Sequence, residues 1–325
     1  MKQELGRLIG VVCLAWLWVL PAQAQGQDGV FWLGRAAAAA REQSYSGTFV
    51  YRNGALAESA RIAHLVDAGR ELERLEVLDG SPREVLRNAD EIKCYLPETR
   101  TLIIEKRARH SALPVSLPAS LAGLNEHYTI RKGALERVAD RDSQIILLEP
   151  RDALRYGHRF WVDTLSGLLL KAGLINERGE SVETFAFTQL QVGSAIDRAM
   201  LKSRFAGGRD TWQVQHVEAA DAQGIDDAWQ FRVSLPGYRK VTGMRRMALA
   251  SPGRAQSVHV VFSDGLATIS VFIETLPEKF EPGMTSMGAT HVYQRAVGGY
   301  GLVAMGELPR AALKKFADGI EPRKK

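Results

Sequence analysis

A long succession of short β-type segments is the feature that most limits how this 325-residue chain can fold. The first of them lie at 48–51, 61–66, 74–78, 84–87, 91–95 and 101–104, and further ones follow at 128–130, 144–148, 156–162, 168–175 and 181–190. Turn formers such as Asn53-Gly54 and Asp79-Gly80-Ser81-Pro82 separate them, which is typical of antiparallel hairpins. The sequence therefore predicts a large, curved antiparallel sheet, preceded by an alanine-rich helix over 31–43.

A linker and a second, smaller domain are predicted after this sheet. The polar stretch from Gly193-Ser194 to Asp210 has the composition of a linker. Strands are then expected near 213–217, 248–249, 257–262, 268–274, 291–297 and 302–305. Pro309 and Gly319 bracket a closing helix over 309–318. Both domains are expected to be α+β, the first as an open antiparallel half-barrel with covering helices.

The first residues have the pattern of a secretory signal. Lys2 and Arg7 precede an apolar run over 8–20, and Ala22-Gln23-Ala24 resembles a cleavage site. The run is shorter than the roughly 20 residues that a membrane-spanning helix needs. We therefore predict a signal peptide at 1–24, an N-terminal domain at 25–205 and a C-terminal domain at 206–325. Removal of Cys13 with the signal would leave Cys94 alone, without a partner for an intramolecular disulfide.

Charge and motifs together argue against an enzyme. The net charge of +5 is spread along the chain, which with export disfavours nucleic acid and weakly favours an anionic lipid or acidic peptide. None of the 7 histidines stands in a zinc-binding pattern, and no phosphate loop or nucleophile elbow is present. Gly298-Gly299-Tyr300-Gly301 lacks the lysine of a phosphate loop and predicts a hairpin turn. We expect no catalytic residue, no metal and no cofactor.

An apolar surface is the first candidate binding site. The helix at 31–43 and the leucine-rich segment at 111–125 are too few to cover one face of so large a sheet, and the uncovered part would suit a hydrophobic ligand. The candidates are Phe49, Tyr51, Leu75, Val77, Leu102, Ile104, Leu113, Leu117 and Leu121. The alternative is a tightly filled core.

Two clusters of basic residues are the second candidate site. They supply Lys106, Arg107, Arg109, Arg151 and Arg155 as candidates for an anionic partner. Arginine offers two-pronged hydrogen bonding to phosphate and carboxylate groups. The alternative is that both clusters lie in solvated loops.

A set of ordered phrases resembles the RseB/MucB family of periplasmic negative regulators of the envelope-stress sigma factor. The phrases include Tyr45-Ser46-Gly47-Thr48-Phe49-Val50-Tyr51, Leu78-Asp79-Gly80, Pro150-Arg151-Asp152, Asp163-Thr164-Leu165-Ser166-Gly167, Leu235-Pro236-Gly237-Tyr238, Phe262-Ser263-Asp264-Gly265 and Gly306-Glu307-Leu308-Pro309. They run in order over nearly the whole chain after the signal. None of them is a catalytic signature, so the resemblance rests on the set.

The resemblance implies a fold and a role. The N-terminal domain would be similar to lipoprotein carriers, and the protein would bind the periplasmic domain of a membrane-bound anti-sigma factor and shield it from the site-1 protease. Lipid, lipopolysaccharide or lipoprotein acyl chains would relieve this inhibition, and self-association into a homo-oligomer is expected. Two other hypotheses stay open: a periplasmic carrier of lipoproteins or lipids, which has no need of a second domain, and a hydrolase that uses Cys94.

Overall fold

The structure is a computed structural model in which two sheets carry most of the chain. It describes residues 22–106, 115, 117, 121–193, 196–207, 212–217, 220–221, 225–232, 235–247 and 256–323. Within these ranges, no helix combines the length and the apolar character that crossing a bilayer requires. The α+β class and the division into a large open sheet and a smaller one are confirmed.

The first sheet has 12 strands in the order β12-β6-β5-β4-β3-β2-β1-β11-β10-β9-β8-β7. Its elements along the chain are α1 Ala22–Glu42, β1 Tyr45–Asn53, β2 Leu56–Asp67, β3 Arg70–Val77, β4 Glu84–Arg87, β5 Glu91–Leu96, β6 Thr101–Lys106, α2 Leu124–His127, β7 Tyr128–Val138, β8 Arg141–Pro150, β9 Gly157–Asp163, β10 Leu169–Ile175, β11 Ser181–Val192 and β12 Gln213–Val217. Each segment predicted up to residue 190 overlaps a strand. The pairing of β1 with β11 joins two runs of hairpins into one sheet.

One strand of the first sheet differs from the prediction. The segment at 213–217 was assigned to the second domain, but β12 pairs with β6 and is the outer strand of the first sheet. The pairing is parallel, because the chain reaches this edge after crossing the sheet from β11. The alternation of residue types predicts that a strand forms, but it does not determine which sheet accepts it.

Helix α1 covers part of one face of the first sheet. Leu33, Ala36 and Ala39 are buried against β7, β8 and β9 and share a core with Phe49 and Phe185. Alanine is the strongest helix former, which accounts for the middle of α1. The helix begins at Ala22, before the predicted residue 31. At Gly29 a Cβ atom would lie 2.8 Å from Cγ2 of Ile130, so glycine allows the helix to approach β7 closely.

The second sheet has 7 strands in the order β13-β15-β16-β17-β20-β19-β18. The elements of this region are β13 Ala220–Asp221, α3 Ile225–Ala228, β14 Trp229–Phe231, β15 Arg239–Met247, β16 Gln256–Ser263, β17 Thr268–Thr275, β18 Gly283–Met287, β19 Thr290–Val297, β20 Tyr300–Gly306, α4 Arg310–Asp318 and β21 Ile320–Pro322. The predicted closing helix is confirmed as α4, whose Phe316 packs against Phe262 with ring centroids 5.0 Å apart. The predicted strand at 248–249 lies outside the described residues.

The glycine-rich segment at 298–301 forms the predicted hairpin turn. It joins β19 to β20, and Gly298 and Gly299 have φ angles of +56° and +81°. Two successive positive φ angles are the geometry of a type I′ turn, which side chains larger than glycine rarely adopt.

Candidate functional site

The junction between the two sheets is built around one buried arginine. Arg155 lies in the loop between β8 and β9, and its side chain is fully buried. Asp264 lies in the turn between β16 and β17, and Nη1 of Arg155 donates to its Oδ2 at 2.7 Å. Its Nε and Nη2 donate to the carboxylate of Asp152, both at 3.1 Å, and Nη2 also donates to the carbonyl of Pro236 at 2.7 Å. One guanidinium therefore connects the two sheets.

Two tyrosine rings complete the surroundings of this guanidinium. The Cζ of Arg155 lies 5.6 Å from the ring centroids of both Tyr128 and Tyr238, within the range of a cation–π interaction. The Tyr128 hydroxyl donates to Oδ2 of Asp264 at 3.1 Å. Burial raises the pKa of both tyrosines, so their hydroxyls are neutral at physiological pH. Burial alone would lower the pKa of Arg155, but the Asp152 hydrogen bonds and the Asp264 charge raise it.

These contacts correct the role predicted for Arg155. Its guanidinium meets carboxylates as expected, but both belong to the chain itself, and a fully buried side chain cannot meet an outside partner. A buried charge is tolerated when it is paired and hydrogen-bonded, and Arg155 satisfies both conditions internally. Its role is to join the two sheets.

A second polar contact joins two hairpins. The Ala289 amide donates to Oδ1 of Asn53 at 2.6 Å, which links the β1–β2 turn to the β18–β19 turn. Gly288 has a φ of +57°, and a Cβ atom there would lie 1.8 Å from the same oxygen. Nearby, the Tyr156 hydroxyl and Nε2 of His291 are 3.0 Å apart. The β1–β2 turn and the β18–β19 turn are therefore in close contact at the junction.

A small cavity of about 70 Å³ lies where the two sheets meet. Its lining includes His158 and Phe160 of β9, Glu183 of β11, and Leu266 and Glu307 from the second sheet's region. Burial lowers the pKa of His158 to about 4, and its Nε2 has no hydrogen-bond partner among the described residues. The ring is therefore neutral at physiological pH.

A larger groove of about 540 Å³ runs beside the junction. It exposes Arg151 and Arg159, and Nε of Arg151 donates to the carbonyl of Asn125 at 3.0 Å. Glu149 and Glu177 also line it, so the groove carries charges of both signs. Arg151 is exposed in this groove, and its contact with an anionic partner stays a prediction.

The structure gathers most of the predicted apolar candidates in one place. Phe49, Leu75 and Val77 belong to the core beneath α1, and Tyr51, Leu117 and Leu121 pack at its margin. The ring of Phe49 lies 4.9 Å from that of Phe185, which shows dense packing around Phe49. On β6, Leu102 is buried and Ile104 is half-buried. Leu113 lies outside the described residues, and the lipid role stays a prediction.

The other basic candidates lie at the end of β6 and beyond it. Lys106 is the last residue of β6. Arg107 and Arg109 lie outside the described residues. Their proposed contact with an anionic partner stays a prediction.

Residues 196–207, which we call the strap, form the part of the predicted linker that lies on the first sheet. Arg204 of the strap contacts Glu76 at 2.6 Å and Glu84 at 3.2 Å, and Arg74 contacts Glu84 at 2.6 Å. Arg198 pairs with Asp67. Burial acts to raise the pKa of Glu84, but the hydrogen bonds from Arg74, Ser203 and Arg204 and the charge of Arg74 together outweigh it and lower the pKa. The strap is therefore docked on the sheet by ion pairs.

Cys94 lies on β5 and is half-buried. Burial raises the pKa of its thiol, so the reactive thiolate is disfavoured. Across the described residues, no cluster of three or more histidine, cysteine or acidic side chains could hold a metal ion.

Sequence reasoning missed Asp264, Asn53 and the acidic pair Glu183 and Glu307 as members of the junction. In the sequence Asp264 stands out only within the phrase Phe262-Ser263-Asp264-Gly265, and in the structure its Oδ1 accepts the turn amides of Leu266 and Ala267. Oδ2 is left for Arg155 and Tyr128. No local signal in the sequence shows that second use, because the partners lie more than 100 positions away.

An open sheet with a covering helix, joined through buried polar contacts to a second, smaller sheet, defines a two-domain architecture. The chain belongs to the MucB/RseB family: the family's N-terminal domain model matches residues 28–205, and its C-terminal domain model matches 224–321.

Named relatives cover nearly the same length. The sigma factor AlgU regulatory protein MucB of Pseudomonas aeruginosa is 32% identical over 321 residues, which are 96% of each chain. The sigma-E factor regulatory protein RseB of Salmonella typhimurium is 27% identical over 88% of each chain. A solved complex structure of Pseudomonas aeruginosa MucA/MucB matches with a TM-score of 0.72 and 28% identity, and covers 92% of this chain and 100% of that one. These relatives are regulators of sigma factors.

Proposed function

We propose that the protein is a periplasmic regulator that binds the periplasmic region of a membrane-bound anti-sigma factor and shields it from regulated proteolysis. One observation carries the proposal: the chain matches, over 92% of its length, a protein solved in complex with MucA. The signal-like residues 1–24 support the periplasmic location. The family models cover 28–205 and 224–321, and because β12 belongs to the first sheet we place the boundary between the domains after β12, not at the predicted 205/206.

The groove beside the junction is the surface we propose for an acidic part of this partner. Arg151 is exposed there, close to the loops that join the two sheets. The net charge of +5 favours an anionic segment over a basic one. A homo-oligomer could present more than one such groove to the partner.

A lipid signal would release the partner by entering the first sheet. Among the described residues, α1, Leu117, Leu121 and Leu124 pack over its apolar face, together with Leu266 from the second sheet's region. An acyl chain that displaced part of this cover would gain about 0.8 kcal/mol per buried methylene, or about 8 kcal/mol for ten. This exceeds the roughly 5.5 kcal/mol that moves a two-state equilibrium from 1:99 to 99:1. The binding energy of a lipid is therefore sufficient for a switch.

The test is a binding assay between the chain without residues 1–24 and the periplasmic segment of the anti-sigma factor from the same cell. Lipopolysaccharide or a lipidated peptide is added in a second arm, and cleavage of the segment by its protease is followed in parallel. We expect binding that slows cleavage and is abolished by the lipid. Lipid binding without partner binding would instead favour a carrier of lipoproteins or lipids.

A matched pair of variants tests the groove. Arg151→Glu should weaken partner binding about fivefold at low salt, and the effect should fall as salt screens the charge. Arg137→Glu is the control, because Arg137 is also exposed but lies at the far end of the β7–β8 hairpin. Equal effects of the two substitutions would remove the groove from the proposal.

A further inference from the structure

Two glutamates from different sheets meet in the small cavity at the junction. Glu183 lies on β11 and is 7% exposed, and Glu307 follows β20. Both line the same cavity, and their carboxyl groups act on each other there. Two ionised carboxylates enclosed together repel each other, so burial and this repulsion favour a proton on one of them.

The groups around the pair do not supply a positive charge. Tyr51 of β1 is a neutral neighbour of Glu183, and Thr290 of β19 is a neutral neighbour of Glu307. Across the cavity His158 of β9 is neutral, because burial lowers its pKa to about 4. Farther along the junction, His291 faces Tyr156 and feels the charges of Arg310 and Glu177, and burial lowers its pKa as well. Within the described residues, the pair therefore holds together through its proton.

We propose that the proton shared by Glu183 and Glu307 is a pH-sensitive latch between the two domains, closed in neutral or mildly acidic surroundings and released as the surroundings become alkaline. The geometry supports this directly: each sheet contributes one carboxyl group, and loss of the proton leaves like charges facing each other in a cavity of about 70 Å³. Separation of the sheets would relieve the repulsion by admitting water.

The direction of the effect follows from where the proton is held more tightly. Burial, reinforced by the charge of Glu307, raises the pKa of Glu183 to about 8, from an ordinary value of 4.5 in the exposed state. The closed form therefore binds more protons than the open form between these values. Protonated Glu183 therefore stabilises the closed form fully below pH 4.5, and this stabilisation is lost as the pH rises through about 8. In between, the opening equilibrium should shift about tenfold for each pH unit.

The Ala289 amide reports the latch, since it donates to Asn53 across the same junction. Hydrogen–deuterium exchange of the full chain would be measured at about pH 6 and about pH 8, and corrected for the intrinsic pH dependence of exchange. We expect the protection of Ala289 to fall about 50-fold in the wild type. In Glu183→Gln, whose amide has the size of the carboxyl group but does not ionise, protection should change less than about threefold.

Glu180→Gln is the matched control, since Glu180 is exposed near the start of β11, and it should behave as the wild type. Protection of Ala289 that is equal at both pH values in the wild type would overturn the proposal. An equal fall in wild type and Glu183→Gln would overturn it as well. If Glu183→Gln does not fold, Glu307→Gln takes its place. A carbon-13 titration of the wild-type carboxyl groups gives a second decision: Glu183 must titrate well above 4.5.

Discussion

Asp264→Asn tests whether Arg155 holds the two sheets together. The substitution keeps the size of the side chain but removes the negative charge that faces Arg155 at 2.7 Å. If the amide oxygen keeps its bonds to the turn amides of Leu266 and Ala267, the amide nitrogen faces the Arg155 guanidinium donor against donor, and the Tyr128 hydroxyl must turn to accept from it. If the amide is reversed, the turn bonds are lost. Either orientation breaks at least one buried hydrogen bond.

The magnitude follows from the burial of the pair. Both side chains are 0% exposed, and removing one partner of a buried ion pair costs about 3–5 kcal/mol. We expect the lower end, about 3 kcal/mol, because Arg155 keeps the carboxylate of Asp152. With a urea m-value of about 3 kcal/mol per M, the midpoint of unfolding should fall by about 1 M.

The assay is equilibrium urea unfolding followed by circular dichroism. Asp140→Asn is the control, because it removes one partner of the exposed pair between Arg137 and Asp140 and should cost less than about 1 kcal/mol. Adding Arg155→Met to Asp264→Asn should recover about 2 kcal/mol relative to the sum of the single substitutions. A midpoint for Asp264→Asn that matches the control would refute the reasoning.

Three further substitutions probe other parts of the structure. Leu33→Ala should lower the free energy of unfolding by about 2–5 kcal/mol, because Leu33 is buried between α1 and the sheet, whereas Leu165→Ala at an exposed loop position should change it by less than about 0.5 kcal/mol. Gly288→Ala should abolish the protection of the Ala289 amide in hydrogen exchange, since its Cβ would collide with Asn53, while Gly179→Ala, at a positive φ with free space around it, should leave that protection intact. Glu84→Gln should be less stable than the wild type at about pH 7 and approach it as the pH falls below 4.5, because the lowered pKa of Glu84 supports folding above its unfolded value and that support is lost as acid protonates it. Urea unfolding at several pH values measures this convergence.

The strands could be predicted where apolar and polar residues alternate between turn formers, as at 61–66 and 268–274. The sequence failed at β15, whose Arg239, Lys240, Arg245 and Arg246 hide the strand pattern among charges. It also failed where an assignment depends on distant partners. The sequence predicts Arg155 as a cation available to a partner, whereas in the structure it is paired with Asp264. The sequence likewise assigns β12 to the second domain, whereas in the structure it pairs with β6.

The two domains are connected in two places, covalently by the chain after β12 and noncovalently at the junction. The strap and β12 fix the chain to the outer edge of the first sheet, and two residues after β12 the chain enters β13 of the second sheet. The noncovalent junction at Arg155 and Asn53 lies elsewhere. Opening that junction therefore leaves the second domain on a short tether, at a high effective concentration relative to its contact surface. Closure is then an intramolecular step whose equilibrium does not depend on how dilute the protein is, so each molecule can open and close repeatedly without losing its second domain.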